Sequence, residues 1–194
     1  MDGKLVGKVL GYYSHPDERP GKVFVFPHLF AEVMDVYLKA HGTTEEHLAA
    51  IAVQEYQNAR HNPYAQMRNV DLSVEKACSI EGINRYIADG LKLKTFDCSQ
   101  ITDGYAGLVL ATEKGLARLG VAKKDCVRIA GWGQATDPLK KEGRDVLRPR
   151  GAYAAMNGAY AMAGVSPKDV NVAELHDCFT VMGAIGTEVI GKAE

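Results

Sequence analysis

Residues 170–180 read VNVAELHDCFT: a short apolar run, then His176, Asp177, Cys178 and Phe179, then a helical pattern that continues to Gly191. An apolar run of that length predicts a strand (170–175), and the change of period after it predicts a helix over 180–191. The same alternation repeats upstream. Residues 105–112 (YAGLVLAT) predict a buried strand, Glu113–Leu119 a short helix stopped by Gly120, and 126–131 (CVRIAG) a second strand. Residues 151–163 predict a helix rich in alanine and glycine, a composition that lets backbones approach closely. Strands alternating with helices specify an α/β layer fold.

Before residue 95 the texture is different and mostly helical. Residues 28–41 place Phe30, Val33, Met34, Tyr37 and Leu38 on one face, and Gly42 stands where a left-handed residue ends a helix. Thr43 and Glu46 have the spacing of a capping box. Leu48, Ile51, Ala52, Tyr56 and Ala59 then form one stripe, which Asn62-Pro63 closes. Residues 1–27 are punctuated by Pro16, Pro20, Gly21 and Pro27 and read as a loop, with a short strand candidate at Val23-Phe24-Val25-Phe26. Residues 63–95 are mixed, with a helix somewhere in 73–86. The chain therefore divides into a helical segment, 1–95, and an α/β segment, 96–194.

The bulk composition narrows the function classes. With 46% hydrophobic residues in 194, a core of ordinary size can be buried. A net charge of −1 argues against a nucleic-acid surface, which needs clustered positive charge. No apolar run reaches the roughly 20 residues that span a bilayer, and no apolar segment of a leader peptide follows Met1-Asp2-Gly3-Lys4. The expectation is a cytoplasmic protein, or a peroxisomal or mitochondrial one in a eukaryote. Cys78, Cys98, Cys126 and Cys178 are widely spaced and contain no CxxC pair, so four reduced thiols are expected. His15, His28, His41, His47 and His61 show no metal-ligand spacing, and no metal is expected.

The chemistry concentrates at 174–179. A polar cluster at the carboxyl end of a strand, facing the positive end of the next helix, is where sites gather in α/β sheets. There His176 can donate a hydrogen bond or position a water against a developing oxyanion, Asp177 can orient a neighbour, and Cys178 can gain thiolate character from the helix end. The plainer reading is a strand end with a satisfied histidine. Residues 97–104 (DCSQITDG) read as polar caps before a strand, with no base beside Cys98. Gly131-Trp132-Gly133-Gln134-Ala135 reads as a tight turn or a pocket lining and is not a nucleotide-binding loop. The basic run 139–150 (LKKEGRDVLRPR) reads as a solvated, mobile loop rather than a phosphate site.

Four stretches in order resemble the sterol carrier protein x-type thiolases, an acetyl-CoA acetyltransferase-like branch of the thiolase superfamily. They are Gly42 to Gln66 (GTTEEHLAAIAVQEYQNARHNPYAQ), Asp97 to Ala111 (DCSQITDGYAGLVLA), Ala163 to Val170 (AGVSPKDV) and His176 to Phe179 (HDCF). The resemblance covers nearly the whole chain. It implies a layered thiolase-like fold, mixed sheets with packing helices, in which 1–95 is the loop domain and 96–194 the first part of the C-terminal core domain. It implies acyl transfer: Claisen condensation, or thiolytic cleavage of a 3-oxoacyl-CoA. Coenzyme A esters would be substrates, with no covalently bound cofactor. His176 takes the oxyanion-hole role, with Asp177 and Cys178 beside it. The family's nucleophilic cysteine would precede residue 1, and its GHP histidine and acid/base cysteine would follow the HDCF box. On that expectation the chain is an internal piece, inactive alone. A homo-oligomer, the missing thiolase domains or an OB-fold subunit would be partners. Two alternatives share the fold: a segment of a steroid side-chain retro-aldolase, and a non-catalytic subunit that binds coenzyme A.

Overall fold

A computed structural model of the chain describes residues 3–193; Met1 and Asp2, on which the reading of the opening residues rests, and Glu194 lie outside the described residues. The longest helix among the described residues, α2 (Val25–His41), buries Val33, Met34 and Tyr37 of the expected face together with Leu29 and Ala31, leaves Phe30 and Leu38 half-buried, and stops at Gly42 with φ 61°. It begins three residues earlier than the period suggested. Val23 to Phe26 is not a strand, because Pro27 stands in the first turn of α2, where its missing N–H has no intrahelical partner to lose. Residues 1–27 are also not wholly loop. Gly3–Gly11 forms α1, which packs on the start of α2. The bare Cα of Gly11 admits this contact: a Cβ there would lie 2.8 Å from Val25 Cγ2.

Helix α3 (Glu45–Ala59) is capped one residue later than the spacing suggested. Thr44 is the N-cap and His47, not Glu46, closes the capping box, with the Thr44 N–H donating to His47 Nδ1 at 3.0 Å. A short helix, α4 (Val74–Cys78), follows, with Ser73 Oγ accepting from the Lys76 N–H. Further on come α5 (Glu113–Leu119), α6 (Arg150–Ala163) and α7 (Thr180–Val189).

The main core joins α2 and α3 to α7 through Met34, Leu48, Leu93, Val181 and Ile185, all at or near zero exposure. Phe30 stacks on Phe179 with ring centroids 4.3 Å apart, worth about 0.5–1.5 kcal/mol beyond the area buried. A second cluster, Ala49, Ala52, Leu72, Ala77 and Phe96, joins α3 to α4. The helix expected at 151–163 packs on the extended residues 131–133 at the backbone. A Cβ on Gly131 would sit 2.2 Å from Ala159 O, and one on Gly133 would sit 1.9 Å from Ala155 O. Only glycine fits under the alanine face of α6.

The three expected strands do not form a sheet. Among the described residues, pairing is limited to two isolated antiparallel bridges, Tyr86 with Lys94 and Cys98 with Phe179. Residues 105–112, 126–131 and 170–175 lack a ladder, and their side chains face solvent, Tyr105, Val109 and Val127 among them. A strand is stabilised by a neighbour about 4.8 Å away that pairs its backbone. These segments have the composition for strands and no such neighbour among the described residues. Nor is the basic run 139–150 a free loop. The Lys141 N–H donates to Glu18 Oε1 at 2.8 Å, its ammonium pairs with Glu32 on α2, and Lys140 pairs with Asp17 at 3.2 Å. No helix among the described residues is long and apolar enough to cross a membrane.

Candidate functional site

The segment carrying His176, Asp177 and Cys178 is held against the rest of the molecule from both sides. On one side the Ser99 N–H donates to Cys178 O at 3.0 Å, part of the Cys98–Phe179 bridge. On the other, Thr180 Oγ1 donates to Asp97 Oδ1 at 3.0 Å and fixes the start of α7. Asp97 is itself held. Its Oδ2 accepts from the Lys94 N–H at 2.8 Å and lies 3.3 Å from the Lys94 ammonium. Lys94 is wholly buried and reaches Glu45 Oε2, at the start of α3, at 3.0 Å. A chain of charged groups thus joins the first turn of α3 to the first turn of α7. Burial alone would lower the Lys94 ammonium, but Asp97 and Glu45 outweigh it and hold the group above its ordinary range. Burial would likewise raise Glu45, and the bonds from Lys94 and Lys92 overcome it and hold the carboxyl low.

The structure brings the three expected site residues together and turns them to different surroundings. His176 is exposed and lines a cavity of about 280 Å³ between Gly133, α6 and α7, with Met156, Leu175 and Met182 as apolar walls. Asp177 lines a separate cavity of about 950 Å³ between α3 and α7, with Asn58, Ser99 and Thr187. Cys178 is half-buried and packs against the main core. Burial pushes its thiol up, although backbone N–H groups at the helix start pull the other way. That direction runs against the expected thiolate character, because desolvation exceeds the effect of the helix end. Cys98 is affected more strongly, pushed to about 12 by burial and then by Asp97 and Cys178. Among the described residues no three His, Cys, Asp or Glu side chains group closely enough to hold a metal.

Two side chains at or beside this segment escaped the sequence reading. Lys94 looked like one of many surface lysines. Glu55 lies on the α3 stripe, four residues after Ile51 and four before Ala59, so a carboxyl on an apolar face was the available signal. It lines both the large cavity and a neighbouring one of about 320 Å³ that contains Tyr56, Phe96 and Cys98.

Residues 133–194, which include Gly133 to Ala135, α6, His176 and α7, match the family model described as thiolase C-terminal domain-like. An acetyl-CoA acetyltransferase of Methanocaldococcus jannaschii is 34% identical over 167 residues, 86% of this chain and 41% of that protein. The chain is a relative of the thiolases. The benzoylsuccinyl-CoA thiolase subunit BbsB of Thauera aromatica is 31% identical over 155 residues, 80% of this chain and 38% of that protein. Sterol carrier protein 2 of Bos taurus is 29% identical over 171 residues, 86% of this chain and 30% of that protein. The thiolase-like segment thus spans about two-fifths of the length of the acetyltransferases and the thiolase subunit that it matches.

Proposed function

We propose that this chain supplies the oxyanion-stabilising part of a thiolase-type acyltransferase acting on coenzyme A thioesters. The observation that carries the reading is the position of His176, exposed and lining an apolar cavity beside α6 and α7. A thioester carbonyl seated there gains negative charge as a nucleophile adds to it. An imidazole N–H is a donor that favours that charge over the neutral ground state. The names of the relatives, acetyl-CoA acetyltransferase and benzoylsuccinyl-CoA thiolase, agree with this chemistry. The apolar walls suit an acyl chain.

Covalent acyl transfer also requires a thiolate nucleophile and a group that moves a proton. Burial holds both Cys98 and Cys178 as thiols, so on this reading neither is the nucleophile, and the chain contributes electrophilic assistance. Coenzyme A-dependent cleavage of acetoacetyl-CoA tests it, with the 194-residue chain assayed beside the same chain joined to its natural flanking sequence. The longer protein is expected to turn over and the chain alone is not. His176→Ala in the longer protein is expected to lower kcat by about 10²–10³-fold, the cost of one oxyanion donor. An unchanged kcat would remove His176 from the mechanism.

A further inference from the structure

The stretch 175–180 is anchored on both sides of His176. Leu175 packs on α7 at the bare Gly186, where a Cβ would lie 3.5 Å from Leu175 Cδ1. The Cys178 carbonyl accepts from the Ser99 N–H at 3.0 Å. Thr180 Oγ1 donates to Asp97 Oδ1 at 3.0 Å, and Phe179 between them stacks on Phe30. The backbone has only two soft dihedral angles per residue. A span of three residues between fixed ends therefore has little freedom, and His176 lies within it.

Asp97 makes the last anchor firm. Its Oδ2 is engaged by the Lys94 N–H at 2.8 Å and by the Lys94 ammonium at 3.3 Å, which leaves Oδ1 to Thr180. An ionised carboxylate accepts only, so the Thr180 hydroxyl must donate to it and has one direction to point. A bond to a charged acceptor is shorter and roughly twice as strong as a neutral one. Asp97 is 3% exposed and Thr180 1%, so solvent does not compete for either group.

We propose that Asp97 and Thr180 are positioning residues for His176. Their hydrogen bond holds the first turn of α7 on the 94–99 segment. With the Ser99–Cys178 bond, it fixes where the His176 imidazole stands in the wall of the 280 Å³ cavity. Neither Asp97 nor Thr180 lines that cavity, so both act on a bound thioester only through the histidine. The catalytic consequence rests on the thioester reading above; the placing of the imidazole does not.

The placing is tested by ¹H–¹³C NMR of the histidine rings in the 194-residue chain, with the His176 signal assigned by its loss in His176→Ala. Thr180→Val keeps the shape of the side chain and removes the donor. It is expected to shift the His176 ring signal and to leave those of His15, His28, His41, His47 and His61 in place. Thr180→Ser keeps the hydroxyl and is expected to hold the His176 signal at its natural position. Thr180→Ala removes the same donor with a better helix former, and gives the same reading if the valine variant does not fold. An unmoved His176 signal without the hydroxyl, equal movement of all six histidines, or a shift in Thr180→Ser as large as in Thr180→Val overturns the proposal.

Kinetics of the longer protein, with acetoacetyl-CoA and coenzyme A, test the consequence. Thr180→Val is expected to lower kcat by about 10–10²-fold with little change in KM, the pattern of a misplaced group that acts in the transition state. In a His176→Ala background it is expected to lower kcat no further. Losses that multiply in the double variant overturn an action through His176. A longer protein with no turnover overturns the thioester reading, and the histidine spectra then decide the positioning alone.

Discussion

Lys94 shows how much one side chain can determine. Its ammonium is buried between Glu45 and Asp97, and Asp97 holds Thr180 at the start of α7. Removing the cation leaves the buried Asp97 without its counter-charge and Glu45 with Lys92 alone. Lys94→Met is expected to cost about 3–5 kcal/mol, read as a lower midpoint in urea unfolding. The cysteines make a second prediction at this scale. Cys126 is exposed, whereas Cys78, Cys98 and Cys178 are partly buried and pushed up chiefly by burial. A thiol reagent at neutral pH is expected to label one cysteine quickly and three slowly, and Cys126→Ser is expected to abolish the fast phase. Neither side chain could be singled out in the sequence. Lys94 has no local signature, since its two partners come from a helix 49 residues away and from the following turn.

At the scale of elements, period and capping made five helices legible. The apolar faces of α2 and α3, the glycine stops after α2 and α5, and the runs of α6 and α7 are local properties, and local sequence contains them. Helix α1 was not legible, because Pro16, Pro20, Gly21 and Pro27 marked the whole of 1–27 as loop. Its stability comes from packing, with Gly7 and Gly11 lying against Phe24 and Val25. The contact between α6 and residues 131–133 is testable at this scale. Gly133→Ala places a methyl within 1.9 Å of a helix carbonyl oxygen, and α6 must move away. The expected cost is about 1–3 kcal/mol, measured by denaturant unfolding, with the His176 cavity altered because Gly133 and α6 form its wall.

For the whole molecule, the ionisable groups act in opposite directions. Glu32 and Glu45 are held low in the folded state by their lysine partners in spite of burial. Their stabilisation is present above the unfolded value of 4.5 and is lost as pH falls through the folded values. Glu55 is raised from 4.5 to about 8. Its contribution is full below 4.5 and is lost as pH rises from there to about 8. Thermal unfolding across pH is therefore expected to show greatest stability at about pH 5, declining on both sides. Glu55→Gln is expected to flatten the alkaline side alone.

The sequence by itself determined the runs of α2, α3, α5, α6 and α7, the glycine stops after α2 and α5, the order of the thiolase-like stretches and the placing of His176, Asp177 and Cys178 just ahead of α7. Those features depend on neighbours within a few residues, or on motifs carried in linear order. Only the tertiary structure decided which segments pair, and here 105–112, 126–131 and 170–175 carry strand composition without a ladder among the described residues. It also decided that His176 and Asp177 line different cavities and that Glu55 lines the same one as Asp177. Backbone pairing, burial and the lining of a cavity depend on distances between residues far apart in the chain, and alternation of residue types does not encode those distances.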